Sequence, residues 1–298
     1  MEREMIIHTV PGLAARTGEI RTFGHVVKSI FPASYQGKDV VVKAAQSDEE
    51  KMEVRKNILG YERMRKMGLH SIVPDHLLFD VQGNLVLILE DCGRPFLETV
   101  KESSEPDVMY EQLLDQLRGI WRVTKEKAPS DHFLVLDRLV AILLNFGDRF
   151  LSGLVQENEY WEALRTLSFR KMYIPFVCFS DYDFTPDDTF LSCGKLKYVD
   201  PNAEVLGIPI IDLACFSGVC LVHNLPRAPE QLLQYREVAI REVSLLLEIE
   251  KEDAEKIYAL GRLLQSTLSA CVRAESEREK AEVLVKDVLY FAKQLYAR

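Results

Sequence analysis

Short apolar runs separated by turn residues fill the chain between residues 18 and 90. Two of them, His25–Phe31 and Asp39–Ala45, are rich in β-branched residues and flank a turn at Gln36-Gly37-Lys38, which predicts an antiparallel hairpin. The runs His76–Val81 and Leu85–Leu89 flank a Gln-Gly-Asn turn and predict a second hairpin. This part of the chain is therefore expected to be rich in β-strand.

A helix is predicted between the two hairpins. Residues 47–68 carry apolar side chains at spacings of three and four, the period of a helix with one buried face. Ser47 followed by Glu50 is the sequence pattern of a capping box, and Gly68 is a typical helix stop. The pattern thus predicts a helix that begins after Ser47 and ends before Gly68.

The segment Glu90–Pro95 breaks this pattern, and the chain that follows is mainly helical in its periodicity. Apolar stripes run along Val108–Lys125 and His132–Leu154 and recur toward the C-terminus, and we interpret them as core-packing faces. A predicted pair of short strands, Ile174–Phe179 and Leu196–Asp200, interrupts the helices. The sequence therefore predicts an α+β fold with its domain boundary near residue 90.

Composition limits the classes of function. The 298 residues are 47% hydrophobic and 28% charged, which is ordinary for a globular protein, and the net charge of −9 does not favour a nucleic-acid partner. The N-terminus has no apolar signal core, and the longest apolar run, Ile208–Val222, is too short to span a membrane and contains Asp212. The six cysteines form no Cys-x-x-Cys pair, so buried free thiols are expected. We expect a cytoplasmic protein without a membrane partner.

The most unusual stretch is acidic. Residues Phe179–Phe190 follow a strand-like segment, and their four carboxylates are Asp181, Asp183, Asp187 and Asp188. Taken alone, the stretch is either a solvated surface turn or a loop that holds a metal or a proton acceptor. Lys43, at the end of an apolar strand, is equally open: it is an edge residue or an ammonium directed at an anion.

Spacing along the chain connects these residues. Lys43 is followed 19 residues later by Glu62 on the predicted helix, and Asp200 follows Asp183 by 17 residues, with Asp188 between them. This is the order of parts in a kinase phosphoryl-transfer site. A strand lysine contacts the phosphates of ATP, a helix glutamate fixes that lysine, carboxylates hold the metal ion, and one carboxylate accepts the proton of the acceptor hydroxyl.

The sequence resembles the protein-kinase-like superfamily, and within it the aminoglycoside phosphotransferase and choline kinase branch. The catalytic loop of that family reads His-Gly-Asp-Leu-His-Pro-Gly-Asn, and Asp181–Asp188 here reads Asp-Tyr-Asp-Phe-Thr-Pro-Asp-Asp. The family's strand aspartate matches Lys197–Asp200, its later Asp-Leu-Ala matches Asp212–Ala214, and its hinge is similar to Leu89–Gly93. About 90 residues separate the hinge from Asp183, and Asp200 is 12 residues from Asp212, a spacing that favours the small-molecule branch over protein kinases.

The resemblance implies a two-lobed protein-kinase-like fold. Residues 1–90 would form a small β-rich N-lobe on the nucleotide side, and residues 91–94 the hinge. Residues 95–298 would form a large, mainly helical C-lobe with the catalytic loop and the metal site. The implied function is an ATP- and Mg²⁺-dependent phosphotransferase that moves the γ-phosphate to a hydroxyl of a small molecule.

The resemblance also implies roles for individual residues. Asp183 would be the catalytic proton acceptor, and Asp188 and Asp200 the metal ligands. The residues implied in cofactor binding are Lys43, Glu62, Gly24, Glu90 and Cys92. Two assignments keep a rival: Glu53 could replace Glu62 as the partner of Lys43, and Asp181 could replace Asp183. Asp212 is expected to be structural and to brace the catalytic loop.

This chain departs from the family pattern at several points. Asp181 stands where the family has histidine, Asp188 stands where it has asparagine, and only Gly24 lies in register with the glycines of the nucleotide loop. A second hypothesis therefore stays open, in which the chain is a catalytically weak or inactive pseudokinase that binds a nucleotide or a partner.

Overall fold

The computed structural model describes residues 3–18, 27, 29–129, 133–146, 172–192, 194–273, 284, 286 and 290. Contacts divide the chain into two compact units, each built from two segments. The first unit comprises Met1–Phe96 and Asp187–Val205, and the second comprises Leu97–Pro186 and Leu206–Arg298. The predicted C-lobe began at residue 95 and included residues 187–205, whereas the contacts of this segment place it in the β-rich first unit.

Strands and helices follow one another in an α+β order. The strands are β1 (Leu13–Ala15), β2 (Ser29–Tyr35), β3 (Lys38–Ala45), β4 (His76–Val81), β5 (Asn84–Glu90), β6 (Glu126–Lys127), β7 (Phe176–Phe179), β8 (Thr189–Ser192), β9 (Lys195–Tyr198) and β10 (Leu206–Gly207). The helices are α1 (Arg3–Thr9), α2 (Asp48–Lys66), α3 (Phe96–Glu102), α4 (Pro106–Thr124), α5 (Phe133–Phe146), α6 (Pro209–Val222), α7 (Ala228–Glu237), α8 (Ser244–Leu247) and α9 (Lys251–Arg273). A π-helical segment, Val238–Val243, joins α7 to α8.

The first unit contains a five-stranded antiparallel sheet with the strand order β1-β2-β3-β5-β4. Both predicted hairpins are present. At each turn two successive residues have left-handed backbone: Gln36 (φ 51°) with Gly37 (φ 81°), and Gln82 (φ 54°) with Gly83 (φ 79°). Such two-residue turns match the twist of the flanking strands, so these Gln-Gly pairs set the register of the sheet.

Alternation along β3 assigns its side chains to two faces of the sheet. Val42 pairs with Ile88 of β5, and both belong to a buried apolar cluster that includes Ile6 of α1. Lys43 pairs with Leu87 and, as the next residue along the strand, points to the opposite face. The N-terminal helix thus covers one face of the sheet and leaves Lys43 on the other.

Helix α2 begins and ends as the sequence predicts. The Ser47 hydroxyl accepts from the Glu50 N–H at 3.2 Å, and the Glu50 carboxylate accepts from the Ser47 N–H at 3.0 Å, which completes the capping box. Gly68, just past the helix, has a left-handed φ of 82°. One face of α2 is buried along a helical stripe, and its members are Val54, Asn57, Gly60, Tyr61 and Met64.

The strands around the acidic stretch pair differently from the prediction. The sequence suggested that the strands before and after this loop form one pair. Instead β7 pairs with β6 and β10 in the second unit, whereas β8 and β9 form their own hairpin in the first. The Tyr198 N–H donates to the Ile72 carbonyl at 3.0 Å, and this bond joins β9 to the loop before β4.

The second unit is helical around α6, whose residues are buried over most of its length. Arg262 on α9 is fully buried, and its guanidinium donates to the Ala214 carbonyl of α6 at 3.4 Å. Four of the cysteines, Cys92, Cys178, Cys215 and Cys220, are free thiols, as the sequence suggests. Within the described part of the chain no helix has the length and apolar character needed to cross a membrane. The predicted helix past residue 146 falls on residues 147–171, outside the described residues.

Candidate active site

Lys43 and Asp200 form the centre of the candidate site in the first unit. The Lys43 side chain is almost fully buried, and its ammonium donates to the Asp200 carboxylate in an ion pair. A buried ammonium is costly without such a partner. The two residues are 157 positions apart in sequence and the fold brings them into direct contact, whereas the sequence assigned Lys43 to a helix glutamate and Asp200 to the metal ion.

Asp188 lies at the same end of the β8–β9 hairpin as Asp200. Thr189 pairs with Tyr198 in this hairpin, and the Val199 N–H donates to the Asp188 carbonyl at 3.0 Å. Asp188 is therefore opposite the residue that precedes Asp200. The hairpin thus places the backbones of the two predicted metal ligands, Asp188 and Asp200, at the same end.

Helix α2 contacts the segment that carries Asp200. The Asp200 N–H donates to the Tyr61 hydroxyl at 3.2 Å, and the Asn57 amide donates to the Pro201 carbonyl at 3.3 Å. Burial raises the pKa of Tyr61, and the negative charges of Asp200 and Asp188 raise it further, so the phenol stays neutral beside both carboxylates. The sequence pattern did not identify Tyr61 or Asn57 as site residues. An amide within the apolar stripe of α2 was the signal that could have identified Asn57.

The structure does not bring Glu62 to Lys43. Glu62 is exposed on α2, and the rival Glu53 forms an ion pair with Lys56 at 3.1 Å. Among the ion pairs of the described residues, Lys43 is joined to Asp200 and to neither glutamate. The carboxylate that neutralises Lys43 comes from the segment after β9.

The hinge borders a cavity of about 540 Å³, which is lined by residues 90–93 together with Ser71, Lys195 and Lys197. The Glu90 carboxylate accepts from Lys197 at 2.8 Å and from the Asp75 N–H at 3.1 Å. Burial raises the pKa of the Cys92 thiol to about 12, so it stays protonated at neutral pH. The Glu90 carboxylate is engaged within the protein, and the backbone N–H groups of Glu90 and Asp91 are bonded as well, to the carbonyls of Asp75 and Asp39. Gly24 lies outside the described residues.

Asp183 lies in the second unit, on the part of the acidic stretch that precedes residue 187. Asp183 is exposed, whereas the next residue, Phe184, is buried and stacks on Phe216 of α6 with ring centroids 5.5 Å apart. Tyr182 has a left-handed φ of 59°, and its ring fills the space that a Cβ on Gly207 would occupy. Packing on both sides therefore fixes the backbone that presents the Asp183 carboxylate.

Asp212 braces this loop, as the sequence predicts. Its carboxylate accepts from the Asp181 N–H at 3.1 Å and lies on the buried side of the loop. Burial raises the pKa of Asp212 to about 7, against the lowering effect of the N–H donors of Asp181 and Tyr182, and the charge of Asp183 adds to the rise. Asp181, at the position of the family's histidine, is itself buried.

The raised pKa of Asp212 predicts a pH-dependent stability. The folded chain holds a proton on this carboxyl up to about pH 7, whereas the unfolded chain releases it near about pH 4. The contribution of Asp212 to the free energy of unfolding is therefore lost progressively as the pH rises between these values. We expect Asp212→Asn to lose less stability than the parent between pH 5 and pH 7.5 in urea unfolding. Glu49→Gln, which removes an exposed carboxylate, is the control. Parallel curves for the parent and Asp212→Asn would contradict the prediction.

The donor set of the first unit suits a metal ion that is shared with a nucleotide. Mg²⁺ in phosphoryl-transfer sites takes one or two protein carboxylates and fills its other positions with phosphate oxygens and water. Asp188 and Asp200 provide two such carboxylates on one hairpin end. No group of three or more His, Cys, Asp and Glu side chains in the described ranges could hold a metal by itself. The residues therefore fit Mg²⁺ bound together with phosphate, and they do not form a protein-only metal centre.

No protein-family model matches the sequence, and no curated protein matches it. Solved structures do. A mutant aminoglycoside 2′-phosphotransferase-IIIa in complex with GDP matches with a TM-score of 0.59 at 13% identity, over 95% of this chain and 95% of that chain. A choline kinase from Cryptosporidium parvum Iowa II matches with a TM-score of 0.57 at 11% identity, over 99% of this chain and 97% of that chain. The amicoumacin kinase hAmiN, in complex with AMP-PNP, Ca²⁺ and Ami, matches with a TM-score of 0.54 at 13% identity, over 99% of this chain and 94% of that chain. The chain has a protein-kinase-like fold.

The kinase-like fold confirms the predicted α+β class, with a β-rich N-terminal part and a helical C-terminal part. It also confirms, at the level of fold, the resemblance to aminoglycoside phosphotransferases and choline kinases. Within this fold, the β-rich unit brings together Lys43, Asp188 and Asp200. The helical unit brings Asp181 and Asp183 next to the brace that holds their loop.

Proposed function

We propose that this protein is an ATP- and Mg²⁺-dependent phosphotransferase that moves the γ-phosphate of ATP to a hydroxyl of a small molecule. The observation that carries the proposal is the cluster in the β-rich unit. There a buried strand lysine, Lys43, meets Asp200, and Asp188 lies beside it. The kinase-like fold, shared with aminoglycoside phosphotransferases and choline kinases, supports the same reaction class.

Each residue of the proposed site has a chemical role. The Lys43 ammonium binds the ATP phosphates, and the backbone of the hinge, at Glu90 and Cys92, binds the base. Asp188 and Asp200 hold Mg²⁺, which when bound neutralises charge on the transferred phosphoryl group. Asp183 orients the acceptor hydroxyl and takes its proton as the new oxygen–phosphorus bond forms, the bond to the β-phosphate oxygen breaks and ADP leaves.

The proposed acceptor is a small hydroxylated molecule, and the protein is proposed to act in the cytoplasm without a nucleic-acid or membrane partner. Solved structures of similar fold are named for small hydroxylated molecules. One is a complex of gentamicin with APH(2″)-IIa, and another is a choline kinase. The proposed lobes are residues 1–90 and 95–298, joined by the hinge at 91–94, except that residues 187–205 pack with the β-rich lobe.

Thermal unfolding with ATP, with and without Mg²⁺, tests this proposal. We expect Mg²⁺ with ATP to stabilise the parent by about 2.7 kcal/mol at 100 times the dissociation constant, and ATP alone to stabilise it less. In Asp200→Asn the Mg²⁺-dependent part should disappear, because a neutral amide replaces the carboxylate. Glu204→Gln, which neutralises an exposed carboxylate four residues further along the chain, should behave like the parent. A parent that unfolds at the same temperature with and without Mg²⁺ would rule the proposal out.

A second candidate function is a pseudokinase that binds a nucleotide or a partner without transferring phosphate. Direct pairing of Lys43 with Asp200 favours it, because the ammonium occupies a carboxylate that the metal ion would need. Exposure of Glu62 favours it as well, since among the ion pairs of the described residues neither Glu62 nor Glu53 holds Lys43 away from Asp200. Stabilisation by ATP that is independent of Mg²⁺, together with an absence of ADP release, would support this function over the first.

A further inference from the structure

Helix α2 runs alongside the segment that follows β9 and contacts its residues one after another. The Tyr61 hydroxyl accepts from the Asp200 N–H, and the Asn57 amide donates to the Pro201 carbonyl. Gly60 lies so close to the segment that a Cβ there would be 2.4 Å from the Asn202 carbonyl oxygen. The buried face of α2 therefore holds the backbone of the residue that we propose as a metal ligand.

We propose that Tyr61 is a positioning residue of the metal site, whose hydroxyl fixes the Asp200 backbone and thereby sets the direction of the Asp200 carboxylate. This inference rests on the proposed function, since it concerns the same metal ion. Tyr61 touches neither the nucleotide nor the acceptor in this role and acts only through Asp200.

Backbone geometry explains why Asp200 needs this contact. Strand β9 ends at Tyr198, and Asp200 has a left-handed φ of 56°. Its N–H is therefore beyond the strand ladder, and the phenol supplies the acceptor that a neighbouring strand would otherwise provide. Rotation of this one backbone unit would redirect the carboxylate, so the hydrogen bond acts on the metal ligand itself.

The surroundings of Tyr61 match the role. The side chain is fully buried, and it lies close enough to Asp188 and Asp200 for both charges to act on the phenol. Asn57, one helical turn earlier, is also fully buried, although its Oδ1 has no hydrogen-bond partner among the described residues. A buried amide that leaves one oxygen unsatisfied is costly. Its retention in an apolar stripe is explained by the bond that its nitrogen donates to the Pro201 carbonyl.

Tyr61→Phe removes the hydroxyl and keeps the ring. The experiment measures thermal stabilisation by the ATP analogue AMP-PNP as Mg²⁺ is added, which does not depend on turnover. We expect the Mg²⁺ concentration for half-maximal stabilisation to rise about tenfold, as for other residues that orient a metal ligand. Stabilisation by AMP-PNP without Mg²⁺ should stay as in the parent, because Lys43 and the hinge are unchanged.

Tyr110→Phe is the matched control. It removes another buried phenol, one that donates to the Pro226 carbonyl at 3.3 Å in the helical unit. It should lower stability without moving the Mg²⁺ midpoint. If Tyr61→Phe fails to fold, Asn57→Leu, which removes the bond to Pro201, should shift the midpoint in the same direction by a smaller factor.

The outcomes separate the inference from the proposed function. Suppose that the parent responds to Mg²⁺ and that Tyr61→Phe reaches half-maximal stabilisation at the same Mg²⁺ concentration as the parent. This result overturns the role of Tyr61 and leaves the proposed function standing. The same holds for Asn57→Leu if it is the variant measured. A parent that does not respond to Mg²⁺ overturns the proposed function, and the inference with it.

Discussion

Replacement of Asp183 by asparagine is expected to lower the rate of phosphoryl transfer about 100- to 10,000-fold, the range that a positioned proton acceptor contributes. Asparagine keeps the shape of the side chain but does not take a proton from the acceptor hydroxyl. The measurement is ADP release in the presence of choline, gentamicin or water as trial acceptors. Stabilisation by ATP with Mg²⁺ should be unchanged, because Asp183 is not among the proposed phosphate or metal contacts.

Two further variants make this prediction specific. Asp187→Asn neutralises another carboxylate of the same acidic stretch, and its rate should stay within a few-fold of the parent. Asp181→Asn tests the rival proton acceptor, whose side chain is buried whereas that of Asp183 is exposed. A large rate loss in Asp181→Asn with little change in Asp183→Asn would transfer the catalytic role to Asp181.

Gly60→Ala is expected to destabilise the β-rich unit by about 1–3 kcal/mol through overpacking. The added Cβ would lie 2.4 Å from the Asn202 carbonyl oxygen and 2.8 Å from the Pro201 side chain, and the first of these is backbone that cannot rotate away. In an open helix the same substitution would be stabilising, because alanine is the better helix former by about 1 kcal/mol. Urea unfolding shows directly whether Gly60→Ala lowers or raises the free energy of unfolding.

Gly119→Ala is the matched control for this prediction. Gly119 is also inside a helix, α4, and a Cβ there would meet no atom within 4 Å. We therefore expect Gly119→Ala to raise the free energy of unfolding by up to about 1 kcal/mol. Changes of equal sign in the two variants would show that the contact between α2 and residues 200–202 does not exist in solution.

Local features of the fold could be predicted from the sequence because local residues determine them. The Gln-Gly pairs at 36–37 and 82–83 predict two-residue turns, and both pairs have the left-handed backbone that such turns require. The capping box at Ser47 and Glu50 depends on side chains three residues apart. The order of residue types, which the chemistry of phosphoryl transfer fixes, assigned Lys43 and Asp200 to one site, but it paired Lys43 with a helix glutamate and not with Asp200.

The features that the sequence did not predict depend on contacts between distant segments. Periodicity identified α2 but could not say that its buried face meets residues 200–202, since the same stripe would pack against any apolar surface. Glu62 was assigned by spacing alone, although the rotation of the helix exposes it. The strands around the acidic stretch are two to four residues long, and strands this short carry too little pattern to specify their partners.

The left-handed backbone of Asp200 restricts which residues can occupy this position during evolution. Asparagine, aspartate and glycine adopt such a conformation at low cost, and most other residues do not. Of these three, only aspartate offers a charged oxygen to a metal ion. A relative with asparagine or glycine at the position would keep the backbone conformation but lose the charged oxygen, and the buried Lys43 ammonium would lose its partner. Enzymes and inactive descendants of this fold can therefore diverge here by one substitution whose cost in stability falls on Lys43 and not on the backbone.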